Sequence, residues 1–300
     1  MKKVQVLMST YNGEKYIEEQ IDSILKQENV QVSLLIRDDG SSDKTIQIIT
    51  NIAQKNNNVS FYTGENLGPA KSFMNLINKS GEADYYAFSD QDDVWEQNKI
   101  ISAINKLENY EKEPSMYISA LEIVDENLNK IETKKVNGNF SFEGELIKNF
   151  ATGCTQVLNK KLCDFIKQYN PSYIIMHDSW ITRVCYAIGG NVIIDDIAYI
   201  KYRQHSSNVL GYKDNGLQKL KKQYKIAFKN NVRMREKIAK ELKNGYEENL
   251  TENAKQVVNK LINYKTDIKA KMWLLTNKKF RANNFLINLK MMVAILLNKF

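Results

Sequence analysis

The order of apolar segments between Val4 and Ser89 most constrains the fold of this chain. Four short apolar runs alternate with three stretches whose apolar residues recur at helical spacing. A helix that crosses between two successive strands makes those strands parallel, so this order predicts a β-α-β-α-β-α-β sheet covered by helices. The runs begin at Val4, Ser33, Val59 and Tyr85. The helical faces consist of Ile17, Ile21, Ile24 and Leu25; of Ile46, Ile49 and Ala53; and of Phe73, Met74 and Ile77.

Two of the predicted strands end in acidic turns. Asp38 and Asp39 follow the second run, and Asp90, Asp92 and Asp93 follow the fourth. Loops at the carboxyl ends of parallel strands converge, and ligands bind there. Like charges at the end of a buried strand repel one another unless a cation or a row of donors offsets them, so the later turn predicts a divalent-metal site. The alternative for either turn is a solvated turn that caps the following helix.

The composition narrows the protein class. The chain has 300 residues, 43% of them hydrophobic, which is enough for a catalytic domain and a smaller appendage. Its three cysteines form no CxxC pair, so we expect neither a disulfide framework nor a zinc finger. We expect the protein to reside in the reducing cytoplasm. Met1-Lys2-Lys3 leads directly into a predicted strand, which is not the pattern of a signal peptide.

Four motifs follow one another in a defined order: Ser9-Thr10-Tyr11-Asn12, Asp38-Asp39-Gly40-Ser41, Asn66-Leu67-Gly68 and Ser89-Asp90-Gln91-Asp92-Asp93-Val94-Trp95. Together they resemble the family 2 glycosyltransferases with a GT-A fold, and more narrowly the bacterial rhamnosyltransferase-like members that build cell-surface polysaccharides. The resemblance extends over about the first two-thirds of the chain. It implies an α/β fold in which a mixed sheet is flanked by helices, with a helical appendage at the C-terminus.

The resemblance also implies an enzyme. An inverting, metal-dependent glycosyltransferase would move a sugar, such as rhamnose from dTDP-rhamnose, from a nucleotide-sugar donor to a glycan or lipid-linked glycan acceptor. Asp90 and Asp92 match the family's DXD-type positions for metal and ribose, and Asp39 matches the carboxylate that contacts the base. Hard oxygen ligands suit Mg²⁺ or Mn²⁺. The implied metal ligands are Asp92 and His205. The implied substrate-binding residues are Thr10, Tyr11, Asp38, Asp39, Asn66, Gly68, Lys71, Asp90, Gln91, Trp180 and Arg203.

Asp178 resembles the family's catalytic base, which takes a proton from the acceptor hydroxyl as it attacks opposite the leaving diphosphate. The alternative is that Asp178 caps a helix over residues 179–187. Most family members carry an acidic residue before this aspartate, and His177 stands there in this chain. Arg203 is placed to neutralise the leaving phosphates. Residues 152–156 take the place of the acceptor-side strand and are assigned to the wall of the cleft.

The C-terminal part of the chain differs in charge. Residues 211–300 carry 21 basic and 7 acidic side chains, a net charge of +14, whereas residues 1–210 carry −6. We expect a GT-A domain over 1–210 and a basic helical region over 211–300, joined within 206–216. The apolar run from Phe285 to Leu297 is shorter than the ~20 residues that span a bilayer. The pattern fits peripheral attachment to an anionic inner leaflet, and equally helical packing or a homodimer interface.

Other functions explain the sequence less fully. Nucleic acid is not an expected partner, because no binding motif accompanies the basic charge and the predicted cleft is acidic. A receiver-type signalling domain also has paired acids after its first strand, but it would leave the cluster at Asp90 unexplained. A catalytically inactive family member that serves as an assembly partner would keep the fold without needing these acids. The sequence therefore favours an enzyme at the cytoplasmic face of the membrane.

Overall fold

The computed structural model of the protein describes residues 1–205, 234–282 and 284–300. The chain divides into two compact units. The first comprises Met1–Asn137, Phe150–Asn170 and Ile174–Arg203, and the second comprises Gly138–Asn149, Pro171–Tyr173 and Gln204–Phe300. The domain junction predicted within 206–216, and the boundary at 210, lie outside the described residues.

The first unit is built on one sheet, which has nine strands within the described part of the chain. These strands are β1 (Lys2–Thr10), β2 (Val30–Asp38), β3 (Val59–Thr63), β4 (Tyr85–Ser89), β5 (Val94–Trp95), β6 (Ser115–Val124), β7 (Lys130–Lys134), β8 (Val157–Asn159) and β9 (Asn191–Arg203). Their spatial order is β3-β2-β1-β4-β8-β6-β9-β5, and β7 pairs with β6.

Strand direction divides this sheet into two halves. β1 is parallel to both β2 and β4, and β2 is parallel to β3, so the half built from the first part of the chain is parallel as predicted. In the other half β8 is antiparallel to β4 and β6, β9 is parallel to β6, and β5 is antiparallel to β9. The sheet is therefore mixed and flanked by helices, which confirms the expected fold class.

The described helices include the three predicted crossovers. Their bounds are α1 (Ile17–Leu25), α2 (Thr45–Lys55), α3 (Pro69–Lys79), α4 (Lys99–Leu107), α5 (Phe142–Ile147), α6 (Lys160–Lys167), α7 (His177–Ala187), α8 (Met234–Tyr246), α9 (Glu252–Asn263), α10 (Ile268–Thr276) and α11 (Phe285–Leu296). Short 3-10 helices cover Glu108–Tyr110, Gly153–Thr155 and Glu247–Asn249. The first three helices connect β1 to β2, β2 to β3, and β3 to β4.

The core of the first unit explains why these segments form strands and helices. Val4, Val6 and Met8 alternate along β1 and are buried in one hydrophobic cluster together with Ile17 and Ile21 of α1. Central strands of a parallel sheet are covered on both faces, so β4 is buried along its whole length. This packing fixes where each strand ends, and hence where the loops that follow β1, β2 and β4 begin.

The second unit is helical. Leu242 of α8 and Val257 and Leu261 of α9 are buried apolar residues. Thr251 caps α9 through its side chain, which accepts a hydrogen bond from the backbone N–H of Ala254 at 3.2 Å. The expected C-terminal helices are thus present. Among the described residues, no helix combines the length and apolar character needed to cross a membrane.

Candidate active site

The carboxyl ends of β1, β2 and β4 lie at one edge of the sheet. Thr10, the last residue of β1, pairs with Asp38, the last residue of β2. On the other side of β1, Met8 pairs with Ser89, where β4 ends. The two acidic turns and the turn after β1 therefore start side by side, as the strand order predicts.

Gln91 joins the loop after β4 to the loop after β1. Its side-chain oxygen accepts hydrogen bonds from the Thr10 hydroxyl at 2.6 Å and from the backbone N–H of Tyr11 at 2.8 Å. Its Nε2 donates to the Tyr11 carbonyl at 3.1 Å. A Cβ at residue 13 would collide with this amide, so Gly13 leaves the room that Gln91 occupies. Tyr11 itself is exposed, while Thr10 is buried.

In the loop after β2, Asp38 organises the turn. Its Oδ2 accepts hydrogen bonds from the backbone N–H groups of Gly40 at 3.1 Å and Ser41 at 2.9 Å. Its Oδ1 accepts from the Ser41 hydroxyl at 2.5 Å. Gly40 has a φ of +87°, a left-handed conformation that glycine adopts without strain. The buried Asp38 carboxylate is therefore fully engaged by its own turn.

Asp39 connects the same loop to the start of α3. It forms an ion pair with the buried Arg37, and it accepts from the backbone N–H groups of Leu67 and Gly68, both at 2.9 Å. Arg37 in turn donates to the Glu65 carbonyl at 2.9 Å. Asp39 thus ties the loop after β2 to the loop after β3, which carries the exposed Asn66. Lys71 is exposed in the first turn of α3. Sequence reasoning did not single out Arg37, although a charged residue inside an apolar strand run was a usable signal.

The carboxylates after β4 lie close enough together to repel one another. Asp90 and Asp92 are half-buried, and Asp93 is buried. Burial, with the charges of Asp92 and Asp178, raises the pKa of Asp90 to about 7. Burial and the charges of Asp92 and Asp90 also raise the pKa of Asp93 well above its usual range, although the backbone N–H of Arg203 donates to Asp93 at 3.2 Å. A cation at this loop would relieve the repulsion.

A thiol lies beside these acids. Asp90, Asp93 and Cys154 bring one possible ligand atom each to within 4.8 Å of one another. Asp93 Oδ2 has no hydrogen-bond partner in the part of the chain that the structure describes. Burial and the neighbouring carboxylates raise the pKa of the Cys154 thiol, so it stays protonated and does not ligate a hard cation. The oxygen donors of the loop fit Mg²⁺ or Mn²⁺.

Lys99 is a functional candidate that sequence reasoning missed. This lysine at the start of α4 is buried, and its ammonium lies 3.7 Å from the centroid of the Trp95 ring. Burial lowers the pKa of Lys99 to about 7, against the charges of Cys154 and Asp93. The sequence does indicate its burial, because Lys99 lies four residues before Ala103 and therefore on the buried face of α4.

Arg203 holds the acidic loop in place. Its Nε donates to the Asp92 carbonyl at 2.9 Å, and its Nη1 donates to the Glu126 carbonyl at 2.6 Å. Its Nη2 forms an ion pair of 2.5 Å with Glu19, and the guanidinium lies 4.6 Å from the centroid of the Tyr16 ring. These contacts give Arg203 a positioning part in the structure. Its predicted contact with the leaving phosphates stays a prediction.

Asp178 lies in the first turn of α7, close enough to Asp90 for its charge to act there. The helix begins at His177 rather than at residue 179, and its N-cap is Met176. The Asp178 carboxylate nevertheless accepts a hydrogen bond from the backbone N–H of Ser179 at 2.5 Å, so a capping part for Asp178 remains an alternative to the base. The Asp178 carbonyl accepts from Gln156 Nε2 at 3.0 Å and from the Thr182 hydroxyl at 2.8 Å. These two side chains fix the backbone at Asp178, and neither was predicted.

Three further residues considered in the sequence, His177, Trp180 and His205, are found on α7 and after β9. His177 is buried, and its ring stacks on Phe73 with centroids 3.9 Å apart. Burial lowers its pKa to about 3, so the ring is neutral and does not replace an acid. Trp180 is buried in α7, and His205 follows β9 within the second unit. Their parts in substrate and metal binding stay predictions.

Comparison with known proteins decides the family. The family model described as "Glycosyl transferase family 2" matches residues 5–171, more than half of the chain. The chain belongs to glycosyltransferase family 2. The matched region contains the acidic loops after β2 and β4, and the family membership predicted from the four motifs is confirmed. The protein is therefore a glycosyltransferase that takes a sugar from a nucleotide-sugar donor.

Named relatives lie within the same family. The chain is 32% identical over 224 residues to the "dTDP-rhamnosyl transferase RfbG" of Shigella flexneri, covering 68% of this chain and 73% of that protein. It is 28% identical over 228 residues to the "UDP-Glc:alpha-D-GlcNAc-diphosphoundecaprenol beta-1,3-glucosyltransferase WfgD" of Escherichia coli, covering 74% and 84%.

A solved structure shows the same fold. S. aureus TarS 1-349 in complex with UDP-GlcNAc matches with a TM-score of 0.61 and 17% identity, covering 99% of this chain and 81% of that one. At that identity the likeness concerns the fold alone, and it confirms the GT-A architecture with C-terminal helices.

Proposed function

We propose that this glycosyltransferase is a metal-dependent, inverting enzyme that transfers rhamnose from dTDP-rhamnose to a precursor of a cell-surface polysaccharide. The observation that carries the proposal is that Gln156 links Asp178 to the strand before the acidic loop: its Nε2 donates to the Asp178 carbonyl at 3.0 Å, and its own carbonyl accepts from the backbone N–H of Phe88 in β4 at 3.4 Å. The charge of Asp178 also contributes to the raised pKa of Asp90. In this proposal Asp178 is the general base and the loop after β4 binds the donor at the same site. The similarity to the Shigella dTDP-rhamnosyl transferase supports rhamnose as the donor sugar.

The cation is assigned to the loop after β4. Asp90 and Asp92 would hold it, and Asp92 is the principal ligand in this proposal. The half-buried carboxylates of the loop repel one another, which fits a site that accepts positive charge. A bound Mg²⁺ or Mn²⁺ would neutralise the negative charge that builds on the departing diphosphate.

The donor nucleotide is assigned to the neighbouring loops. Thr10 and Tyr11 are held beside the acidic loop by Gln91. Asp38 and Asp39 have rigid, hydrogen-bonded positions at the end of β2, which suits recognition of the base. Asn66, Gly68 and the exposed Lys71 complete the donor side in this proposal.

Asp178 is assigned the part of the general base. It would remove the proton from the acceptor hydroxyl while that oxygen forms a bond to the anomeric carbon and the diphosphate leaves from the opposite face. One displacement of this kind inverts the anomeric configuration. The hydrogen bonds from Gln156 and Thr182 to the Asp178 carbonyl hold this residue against movement during the reaction.

The acceptor in this proposal is a growing glycan on a lipid carrier. The name of the Escherichia coli relative contains a diphosphoundecaprenol acceptor, which supports a lipid-linked substrate for this chain also. Such an acceptor would place the reaction at the cytoplasmic face of the membrane, with the protein attached peripherally.

A donor screen tests the proposal. Purified full-length protein is incubated with single nucleotide-sugars and Mn²⁺, and both release of the nucleoside diphosphate and thermal stabilisation are measured. We expect dTDP-rhamnose to give the largest response and EDTA to abolish release. A larger response to a UDP-sugar would contradict dTDP-rhamnose as the donor. Undiminished release in EDTA would contradict the proposed metal dependence. Neither release nor stabilisation with any donor would favour an inactive assembly partner.

A further inference from the structure

Helix α11 turns an apolar face to solvent. Phe285 is 78% exposed, Leu286 62% and Leu289 47%. At 3.6 residues per turn, all the exposed apolar positions of this helix and of the residue after it project within about 140° of one another. They therefore form one continuous stripe, which we call the α11 face. Its seven members are Phe285, Leu286, Leu289, Met292, Val293, Leu296 and Leu297.

The orientation of α11 is fixed by its other side. Met291 and Ile295 are buried, and they anchor the helix in the second unit. The Asn288 side chain exchanges two hydrogen bonds with the backbone of Ala282, at 2.7 and 2.9 Å. Beyond the helix the backbone N–H of Phe300 donates to the Tyr264 hydroxyl at 3.0 Å. The exposed stripe thus belongs to a helix that is held in place, and it is not a frayed end.

Exposed apolar side chains are concentrated in this part of the chain. Among the described residues, 16 large apolar side chains are exposed, and 9 of them lie between Ile268 and Leu297. Single exposed apolar residues need no explanation, whereas a contiguous patch marks a surface for another apolar phase or molecule. Ile268 and Met272, four residues apart on α10, extend the concentration beyond α11.

Charge decides which occupant fits. Residues 268–300 contain seven Lys or Arg and no Asp or Glu. Lys290 on α11 and Lys278 and Lys279 before it are exposed. A second copy of the chain that docked through the same face would bring together two segments that carry basic and no acidic residues, and their repulsion opposes this. An anionic lipid surface offers an apolar phase beneath a layer of negative charge, and so satisfies both features.

We propose that α11 lies in the plane of an anionic lipid bilayer, with the α11 face among the acyl chains and the surrounding lysines at the headgroups. The helix has 12 residues, too few to cross the hydrocarbon layer, so it binds along the surface. The inference concerns a surface of the second unit and does not depend on which sugar is transferred.

Co-sedimentation with vesicles tests this inference on the full-length protein. Vesicles of phosphatidylcholine alone are compared with vesicles that also contain phosphatidylglycerol, at low and high salt. We expect binding to the anionic vesicles at low salt, and its loss as salt screens the lysines. Equal binding to both kinds of vesicle, or no binding to either, would overturn the proposal.

Matched variants locate the surface. Leu286→Gln with Leu289→Gln should weaken binding to anionic vesicles at least tenfold, because two inserted side chains become polar. The control pair, Ile131→Gln with Ile197→Gln, changes side chains that are 42% and 55% exposed in the first unit, and it should bind as the wild type does. Equal losses in both pairs would overturn the assignment to α11.

A second set of variants leaves the apolar face intact. Replacing Lys278, Lys279 and Lys290 by Gln should weaken binding on the order of 100-fold at low salt. Replacing the exposed Lys55, Lys112 and Lys134 by Gln removes the same charge elsewhere and should have little effect. Equal losses in both triple variants would show that binding depends only on the net charge of the protein, and would overturn the proposal.

Measurements of melting temperature and sedimentation test whether another part of the chain or a second copy covers the α11 face. Because the α11 face is exposed, Leu286→Gln with Leu289→Gln should leave the melting temperature and the sedimentation coefficient unchanged. A large drop in melting temperature would show that another part of this chain covers the face. A dimer that the variant converts to a monomer would show that a second copy does. Either result would overturn the lipid assignment.

Discussion

The loops after β2 and β4 look alike in sequence but differ in how their carboxylates are satisfied. In the first loop, Asp38 accepts hydrogen bonds from three groups of its own turn, and Asp39 is paired with Arg37 and two backbone N–H groups. In the second loop, Asp90 has a pKa raised to about 7, and Asp93 Oδ2 has no partner among the described residues. The chain's own donors satisfy Asp38 and Asp39, whereas the carboxylates of the other loop raise one another's pKa.

The difference shows that the carboxylates of an Asp-rich turn are either held by donors of the chain or left to repel one another, according to the donors that reach them. Leu67 and Gly68 bring two backbone donors to Asp39, and Arg37 brings a buried cation. The loop after β4 receives the Arg203 backbone N–H at Asp93. Removing a carboxylate should therefore lower stability in the first loop, and lower activity without a loss of stability in the second.

The largest expected effect is on activity in the second loop. Asp92→Asn should reduce sugar transfer about 1000-fold, because a charged ligand of the cation is replaced by a neutral one. The melting temperature should not fall. Initial rates with saturating donor measure the effect, and Asp196→Asn, which changes an exposed carboxylate in a surface ion pair, is the control. A rate within threefold of the wild type would show that Asp92 is not a ligand of a catalytic cation.

In the first loop the expected loss is one of stability. Asp39→Ala leaves the buried Arg37 without its carboxylate and two backbone N–H groups without their acceptor, so the free energy of unfolding should fall by about 3 kcal/mol. Urea denaturation measures the change. The double variant with Arg37→Met should lose less than the two single changes together. A loss below about 1 kcal/mol would remove the contrast between the loops.

Asp178→Asn separates chemistry from binding. Asparagine cannot take the acceptor proton, so transfer should fall about 100-fold or more, while affinity for the nucleotide and the free energy of unfolding are kept. Rates and nucleotide titrations measure the two properties. If donor affinity falls in parallel with the rate, Asp178 belongs to the donor site and is not the base.

The smallest expected effect is a gain in the free energy of unfolding when Asp90 is replaced, opposite in sign to the loss expected for Asp39. The folded-state pKa of Asp90 lies above the unfolded one, so its ionised form destabilises the fold at pH 7.5, and the penalty disappears as the pH falls below about 4. Without divalent ions, Asp90→Asn should therefore raise the free energy of unfolding by about 1–2 kcal/mol at pH 7.5 and have no effect at pH 4. Urea denaturation at both pH values checks this, and a loss of stability at pH 7.5 would contradict it.

Sequence reasoning predicted the parallel half of the sheet because each element there is long enough to show its period. It also predicted the acidic turns, since strand ends and charge are both visible in the sequence. It did not predict which donors reach them. The N–H groups that bind Asp39 come from Leu67 and Gly68, about 28 residues later, and nothing local indicates that pairing.

The other half of the sheet was accessible only through family resemblance. β8 has three residues, too few to show a strand period, and yet it separates β4 from β6. Cys154 lies in a short turn without a distinctive pattern, so its position beside Asp90 and Asp93 emerges only from the packing. Lys99 could have been found, because helical spacing places it on the same face as Ala103.

Binding of Mn²⁺ in the presence of saturating dTDP tests most directly whether the loop after β4 holds a cation while the loop after β2 is complete without one. Electron paramagnetic resonance of the free ion gives the bound fraction for the wild type, Asp92→Asn and Asp38→Asn. We predict a single Mn²⁺ on the wild type and on Asp38→Asn, and none on Asp92→Asn. Equal Mn²⁺ binding by Asp92→Asn and the wild type would contradict the assignment of the cation to this loop.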